Sequence, residues 1–452
     1  MIENDTRLYM LFSSMLAQVP SKKPYKHDPA GHQTVRDLDH LTQVLNHIVT
    51  IAPAWSDRSH GVGLVGLPVN ALFDYPMATP SGFAVFLDPK VNAMLKKVLN
   101  YWGDFLQSPD SAKVLSTESD GWFGPTGSKD LAAVANNATG DSDLSFEQLF
   151  ACDSSKKNHG YTSWDHFFTR EFRFSEGIRP VAAPDRSEII ANACESTPYN
   201  VAHNVSARDK FWIKGQPYSV TDMLAGDELA THFVGGTIYQ AFLSALSYHR
   251  WHSPVSGTIR KAYVVDGTYF SEPLFEGFAD PHGPDPHGEG TGQGYLTAMA
   301  TRGVIFIEAD DTRIGLVAFL PVGMVEVSTC DITVRVGQHV EKGDELGMVS
   351  VPAFLVAFGA DRRCVLMEVW VSSSISVARR IAYCSERALT CRAFRSRVGM
   401  PMCRSGASSL LCDLAKTVEV RRQKALYLPK TCHTTRARAF TEVVKVIPHS
   451  EP

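Results

Sequence analysis

The chain has 452 residues, 44% of them hydrophobic and 20% charged, the composition of an ordinary soluble globular protein with room for two or three domains. Its nine cysteines include no C-x-x-C pair, which argues against a disulfide framework or a zinc ribbon. The first residues lack a basic stretch leading into a clean apolar run, and no segment approaches the ~18 apolar residues of a membrane span, so the expectation is a cytoplasmic chain without a transmembrane segment.

The formal charge of −4 conceals an asymmetry. Residues 362–452 carry 17 Lys and Arg against 6 Asp and Glu, and six of the nine cysteines. A basic tail can serve nucleic acid; the plainer reading is a segment of different origin from the body, poorly ordered and of doubtful authenticity, with no nucleic-acid partner.

In chain order, "LTQVLNHIVTIA" and "VNAMLKKVLNYWGDFL" repeat apolar residues at three- and four-residue spacing and predict amphipathic helices. "SDLSFEQLFAC" predicts a short capped helix, and "TSWDHFFTREF" another with Thr162 or Ser163 as cap. Beyond Arg179-Pro180 the period changes. "SEIIANACES", "TIRKAYVV", "GVIFIEA", "RIGLVAFL", "MVEVST" and "DITVRV" read as short strands separated by turns. The fold class is therefore α+β: a helical N-terminal domain over 1–145, a mainly antiparallel β-rich domain over 146–361, and the tail. "GQHVEKGDELG" (337–347) reads as a glycine-turn module. The loop over 271–294, with His282 and His287, reads as solvated and flexible.

"YHRWHSPVSGTI" (248–259) sets His249 and His252 three residues apart. On a helix the two would share a face, as a metal site wants. Pro254 and Gly257 follow too closely for a helix, and a strand would turn the two rings opposite ways. Metal binding is the weakest reading; structural histidines and acid–base work both stand.

Taken in order, "GYTSWDHFFTREFR", "RPV", "ANACESTPYNV", "YHRWHSPVSGTI", "GTYF", "GLVAFLPVGMVEVSTC" and "GQHVEKGDELGMV" resemble the phosphatidylserine decarboxylase superfamily over about residues 40–361. The likeness is nearest to its soluble fungal members with an extra N-terminal domain, which include the tryptophan decarboxylase of psilocybin biosynthesis. The resemblance implies the β-rich fold of that family and a covalent pyruvoyl group, made when the proenzyme cuts itself at a Gly-Ser bond into two chains that stay associated. The group would act as the electron sink for decarboxylation of an amino-acid substrate. A tryptophan-like amino acid in fungal specialised metabolism is the favoured substrate, with phosphatidylserine, or a catalytically dead paralogue, as the alternative. By the same resemblance His252 is the candidate base for self-cleavage and His249 the acid–base group of the substrate step. The family's acidic partner falls on "NACES", where only Glu195 is a carboxylate.

One departure is large. Where the family has Gly-Ser, this chain reads Val351-Pro352, and the only hydroxyl nearby is Ser350, preceded by Val349. Ser350 is thus the candidate for both the cut and the pyruvoyl group, though a β-branched residue before it resists the conformation glycine adopts cheaply. "AFLVAFGAD" (353–361) reads as the strand that should follow the cut. A misplaced exon boundary or a frameshift would account for the missing Gly-Ser and the foreign tail together.

Overall fold

The computed structural model describes residues 1–20, 35, 37–61, 64–139, 143–209, 218–273 and 292–350, and two short strands at 365–368 and 444–445. The stretch "AFLVAFGAD" and the histidines His282 and His287 lie outside the described residues.

Helices fill the N-terminal third: α1 (Thr6–Ala17), α2 (Leu38–Ile48), α3 (Asp57–Gly61), α4 (Pro68–Ala78), α5 (Pro80–Phe86), α6 (Pro89–Leu106) and α7 (Pro125–Thr139). The helix α6 shows why this sequence folds so. Asp88 caps it, accepting from the N–H groups of Lys90 at 2.8 Å and Val91 at 3.4 Å, and Pro89 opens the first turn. Val91, Leu95, Leu99, Trp102 and Leu106 then form one buried stripe. Two short helices follow, α8 (Phe146–Leu149), with a capping box between Ser145 and Gln148, and α9 (Trp164–Phe168), capped by Ser163.

Among the described residues twelve strands follow: β1 (Ile189–Ile190), β2 (Thr197–His203), β3 (Thr237–Phe242), β4 (Arg250–His252), β5 (Gly257–Val265), β6 (Arg302–Ala309), β7 (Leu316–Phe319), β8 (Thr329–Ile332), β9 (His339–Val340), β10 (Glu345–Ser350), β11 (Val365–Glu368) and β12 (Val444–Lys445). The main sheet has the order β2-β3-β11-β7-β6-β5-β9, and a second sheet has the order β4-β10-β8. Pairing is antiparallel except at β11, which lies parallel to both β3 and β7, with Val365 opposite Thr237 and Met367 opposite Phe319. The architecture is α+β with a mainly antiparallel sheet, as the sequence predicts. The main sheet nevertheless takes a strand from beyond the expected domain boundary at 361.

The helices and the sheets share one apolar core. Phe73 of α4 meets Phe270 edge-on at 5.1 Å, and Asn92 of α6 accepts from the N–H of Tyr269 at 3.2 Å. "MVEVST", read as a strand, is instead a turn ahead of β8: Val325 takes φ +50°, and Glu326 turns inward, fully buried. Both its carboxylate oxygens face the start of α4, accepting from the N–H groups of Val69 at 2.8 Å and Asn70 at 3.0 Å. Because α4 has no side-chain cap of its own, a residue of the β-rich domain supplies it.

Candidate active site

The strand β4 is short because Pro254 removes a donor two residues after His252. It is held from both sides. On one side Glu345 of β10 pairs opposite His252, and Met348 opposite Arg250. On the other, the His252 N–H donates to the Ala193 carbonyl at 2.7 Å, and the Ala191 N–H to that of Pro254 at 2.9 Å. The "NACES" segment therefore lies beside the histidine strand, as the family resemblance implies.

His252 ends β4 while His249 precedes it, and the two rings have different partners. His252 Nδ1 lies 2.8 Å from the Gly343 carbonyl oxygen, and Nε2 2.9 Å from the Tyr248 hydroxyl. Since a carbonyl can only accept, Nδ1 carries the proton. Burial holds the ring's pKa below the ordinary histidine value, so the neutral ring presents Nε2 as an acceptor and the Tyr248 O–H donates to it. The Tyr248 phenol is pushed well above its ordinary value by burial, which keeps it a donor across the physiological range.

His249 is wholly buried and stacks on Phe168 with centroids 4.0 Å apart. Its Nε2 donates to the Ala245 carbonyl at 3.2 Å. Burial first, and the Arg170 guanidinium second, pull its pKa down to about 3, so the ring is neutral and Nδ1 is its unprotonated nitrogen. Among the described residues no three His, Cys, Asp or Glu side chains group to hold a metal.

Glu195 is not at His252. Its Oε2 accepts from Arg179 Nε at 2.5 Å, and Arg179 in turn donates to the Ala135 carbonyl of α7 at 2.7 Å and covers the Phe172 ring at 4.5 Å. The carboxyl is buried, which raises its pKa. The neighbouring Cys194 thiol is pushed up to about 12 by burial and is no nucleophile at neutral pH.

Ser350 is not at His252 either. It stands at the end of β10, paired with Thr329 of β8, while His252 lies opposite Glu345. Five residues of strand at ~3.3 Å each put the two roughly 15 Å apart along β10.

Several groups around the histidines carried no role in the sequence reading. Tyr248 occupies His252 Nε2. Lys342 and Gly343 build the turn that meets Nδ1. Arg170, fully buried, donates to the Leu246 and Ser247 carbonyls at 2.5 and 3.0 Å. It also lies over the Phe150 and Phe167 rings at 4.5 and 5.2 Å. Tyr248 had a local signal, four residues before His252, and Lys342 and Gly343 lay within the glycine-turn motif, which gave no hint of a contact with the ring.

Sequence models described as phosphatidylserine decarboxylase match residues 1–131 and 164–353. The decarboxylase iboD of Amanita muscaria is 43% identical over 303 residues, 65% of this chain and 84% of that protein. The chain belongs to the phosphatidylserine decarboxylase family. An L-tryptophan decarboxylase of Psilocybe cyanescens is 36% identical over 81% of this chain and 80% of its own length. Phosphatidylserine decarboxylase proenzyme 3 of Schizosaccharomyces pombe is 30% identical over 42% of this chain and 18% of that protein.

Family membership makes the chain a carboxy-lyase, and the family resemblance implies a covalent pyruvoyl group. The described residues do not fit that group at Ser350. His252 Nε2, the nitrogen a serine would need, faces Tyr248. The neighbouring Ser253 hydroxyl donates to the Val255 carbonyl at 2.6 Å, and that of Ser256 to Glu341 at 2.9 Å. Among the described residues no serine hydroxyl meets His252.

Proposed function

We propose that this protein decarboxylates a small amino acid, an aromatic one of the tryptophan kind, releasing CO2 and the corresponding amine. The observation that carries the chemistry is the neutral His252 imidazole, held between a carbonyl that fixes its tautomer and a phenol that occupies its basic nitrogen. That is the arrangement of a positioned acid–base group. The substrate class rests on relatives named as L-tryptophan decarboxylases, which the chain covers over about four fifths of their length. Phosphatidylserine is the second reading, favoured by the family's own description. Among the described residues no helix is long and apolar enough to cross a membrane.

In this reading His252 moves the proton, and His249, neutral inside the core, acts through Nδ1 as an acceptor. Replacing His252 with alanine is expected to lower amine formation by about 10²–10⁴-fold, the usual loss of a general acid–base group. The Ser350→Ala chain should match the parent, both in amine formed from tryptophan and in the number of chains on a denaturing gel. Loss of amine formation together with a change in chain number in Ser350→Ala would make Ser350 the source of the pyruvoyl group. Full amine formation by His252→Ala would remove the acid–base assignment.

A further inference from the structure

A catalytic histidine needs a partner on its second nitrogen, and by family resemblance that partner is Glu195. The structure gives Glu195 other work and puts a backbone carbonyl in its place. We propose that His252 is oriented by the carbonyl of Gly343, on a turn pinned by Lys342, and not by the carboxylate of Glu195. The inference rests on the acid–base reading of His252 and deepens it by naming Lys342 and Gly343 as positioning residues.

The turn over residues 341–344 is fixed from every side. Its backbone is zipped to the strand end: the Gly343 N–H donates to the Ser253 carbonyl at 2.8 Å, and the Ser253 N–H to that of Asp344 at 2.6 Å. Inside the turn the Glu341 N–H donates to the Asp344 side chain at 2.8 Å, and the Lys342 N–H to the Ser256 hydroxyl at 3.0 Å.

The Lys342 side chain reaches away from the histidine. Its ammonium donates to two carbonyls of one loop, Ala183 at 2.6 Å and Arg186 at 3.0 Å, and to that of Ile189 at the start of β1 at 3.2 Å. Three carbonyls around one ammonium use all three of its donors and tie two loops into one body. Gly343 has φ +100°, and a Cβ there would fall 2.5 Å from Val181 Cγ2. Only glycine holds this conformation with Val181 so close. The "RPV" and "EKGD" motifs, 160 residues apart, thus meet behind the imidazole, and the Gly343 carbonyl has one direction left to point.

Glu195 is committed elsewhere. Its carboxylate pairs with Arg179, whose guanidinium is anchored to α7 and to Phe172.

The test is nitrogen-detected NMR of the full chain labelled with 15N-histidine, with the His252→Asn chain used to assign the His252 signals among the 16 histidines. Decarboxylation is not needed for the measurement, so its outcome is separate from that of the functional reading. The wild-type ring is expected as a single tautomer, Nδ1 protonated and Nε2 bare, and Glu195→Gln should leave it unchanged. In Lys342→Met, which keeps the side chain's length and removes its donors, both tautomers should be visible. An Nε2-protonated wild-type ring would overturn the proposal, and so would loss of the single tautomer in Glu195→Gln but not in Lys342→Met. Should a variant fail to fold, the wild-type spectrum still decides: a far-downfield Nδ1 proton, the mark of a carboxylate partner, contradicts a carbonyl one.

Discussion

Replacing Glu326 with alanine is expected to destabilise the protein by about 2–4 kcal/mol, because two buried N–H groups at the start of α4 lose their acceptor and a cavity opens beside them. The same residue should impose a pH dependence. Burial pushes its carboxyl up from 4.5 to about 7. The folded chain therefore binds that proton more tightly than the unfolded chain between those values. Stability from this group is full below pH 4.5 and is lost as pH rises towards 7, by on the order of 3 kcal/mol. Glutamine cannot titrate, so the Glu326→Gln chain should lack this slope. Urea midpoints followed by tryptophan fluorescence at pH 5 and pH 7.5 would show it. Parallel pH profiles for the two chains would mean that Glu326 does not titrate as described.

The second large effect is expected at Arg170. Exchange for methionine keeps most of the volume but removes the donors to the Leu246 and Ser247 carbonyls and the cation over Phe150. Orphaning two buried acceptors and losing the ring contacts should cost about 3–5 kcal/mol, read as a lowered urea midpoint. A second consequence distinguishes this from ordinary core damage. The Arg170 charge helps to hold the His249 ring neutral, so its removal should move the His249 pKa upwards, visible in a histidine NMR titration. An unchanged His249 would show that burial alone sets its state.

Both effects depend on contacts between distant parts of the chain, which is where the sequence reading stops. The helices α2 and α6 are legible because one buried stripe repeats along each, and α8 and α9 because their caps are local. β5, β6 and β7 are legible from their β-branched runs. β2 and β3 are not. Pro198 and a half-exposed polar face disguise β2, and β3 carries Gln240, fully buried and bonded to Tyr218, where alternation would want an apolar residue. "MVEV" has the composition of a strand, yet Glu326 caps a helix 257 residues away, and no local pattern encodes such a partner.

The candidate site divides the same way. The motif around His249 and His252 marks the place, and its proline correctly argues against a helix. What each ring touches depends on packing. Glu195 lies beside the histidine strand, as the motif order implies, but its carboxylate is taken by an arginine 16 residues earlier. The glycine-turn reading of "GQHVEKGDELG" holds for residues 341–344, while the segment after it is the strand β10. The turn's own role rests on one carbonyl, which no side-chain pattern announces.

The most direct test of the functional account is a paired measurement on the purified full chain. CO2 release is followed from carboxyl-labelled tryptophan and, separately, from vesicles of carboxyl-labelled phosphatidylserine, with the amine product identified by mass spectrometry. The account predicts CO2 and tryptamine from the free amino acid and none from the vesicles. Release from phosphatidylserine vesicles without release from tryptophan would contradict it.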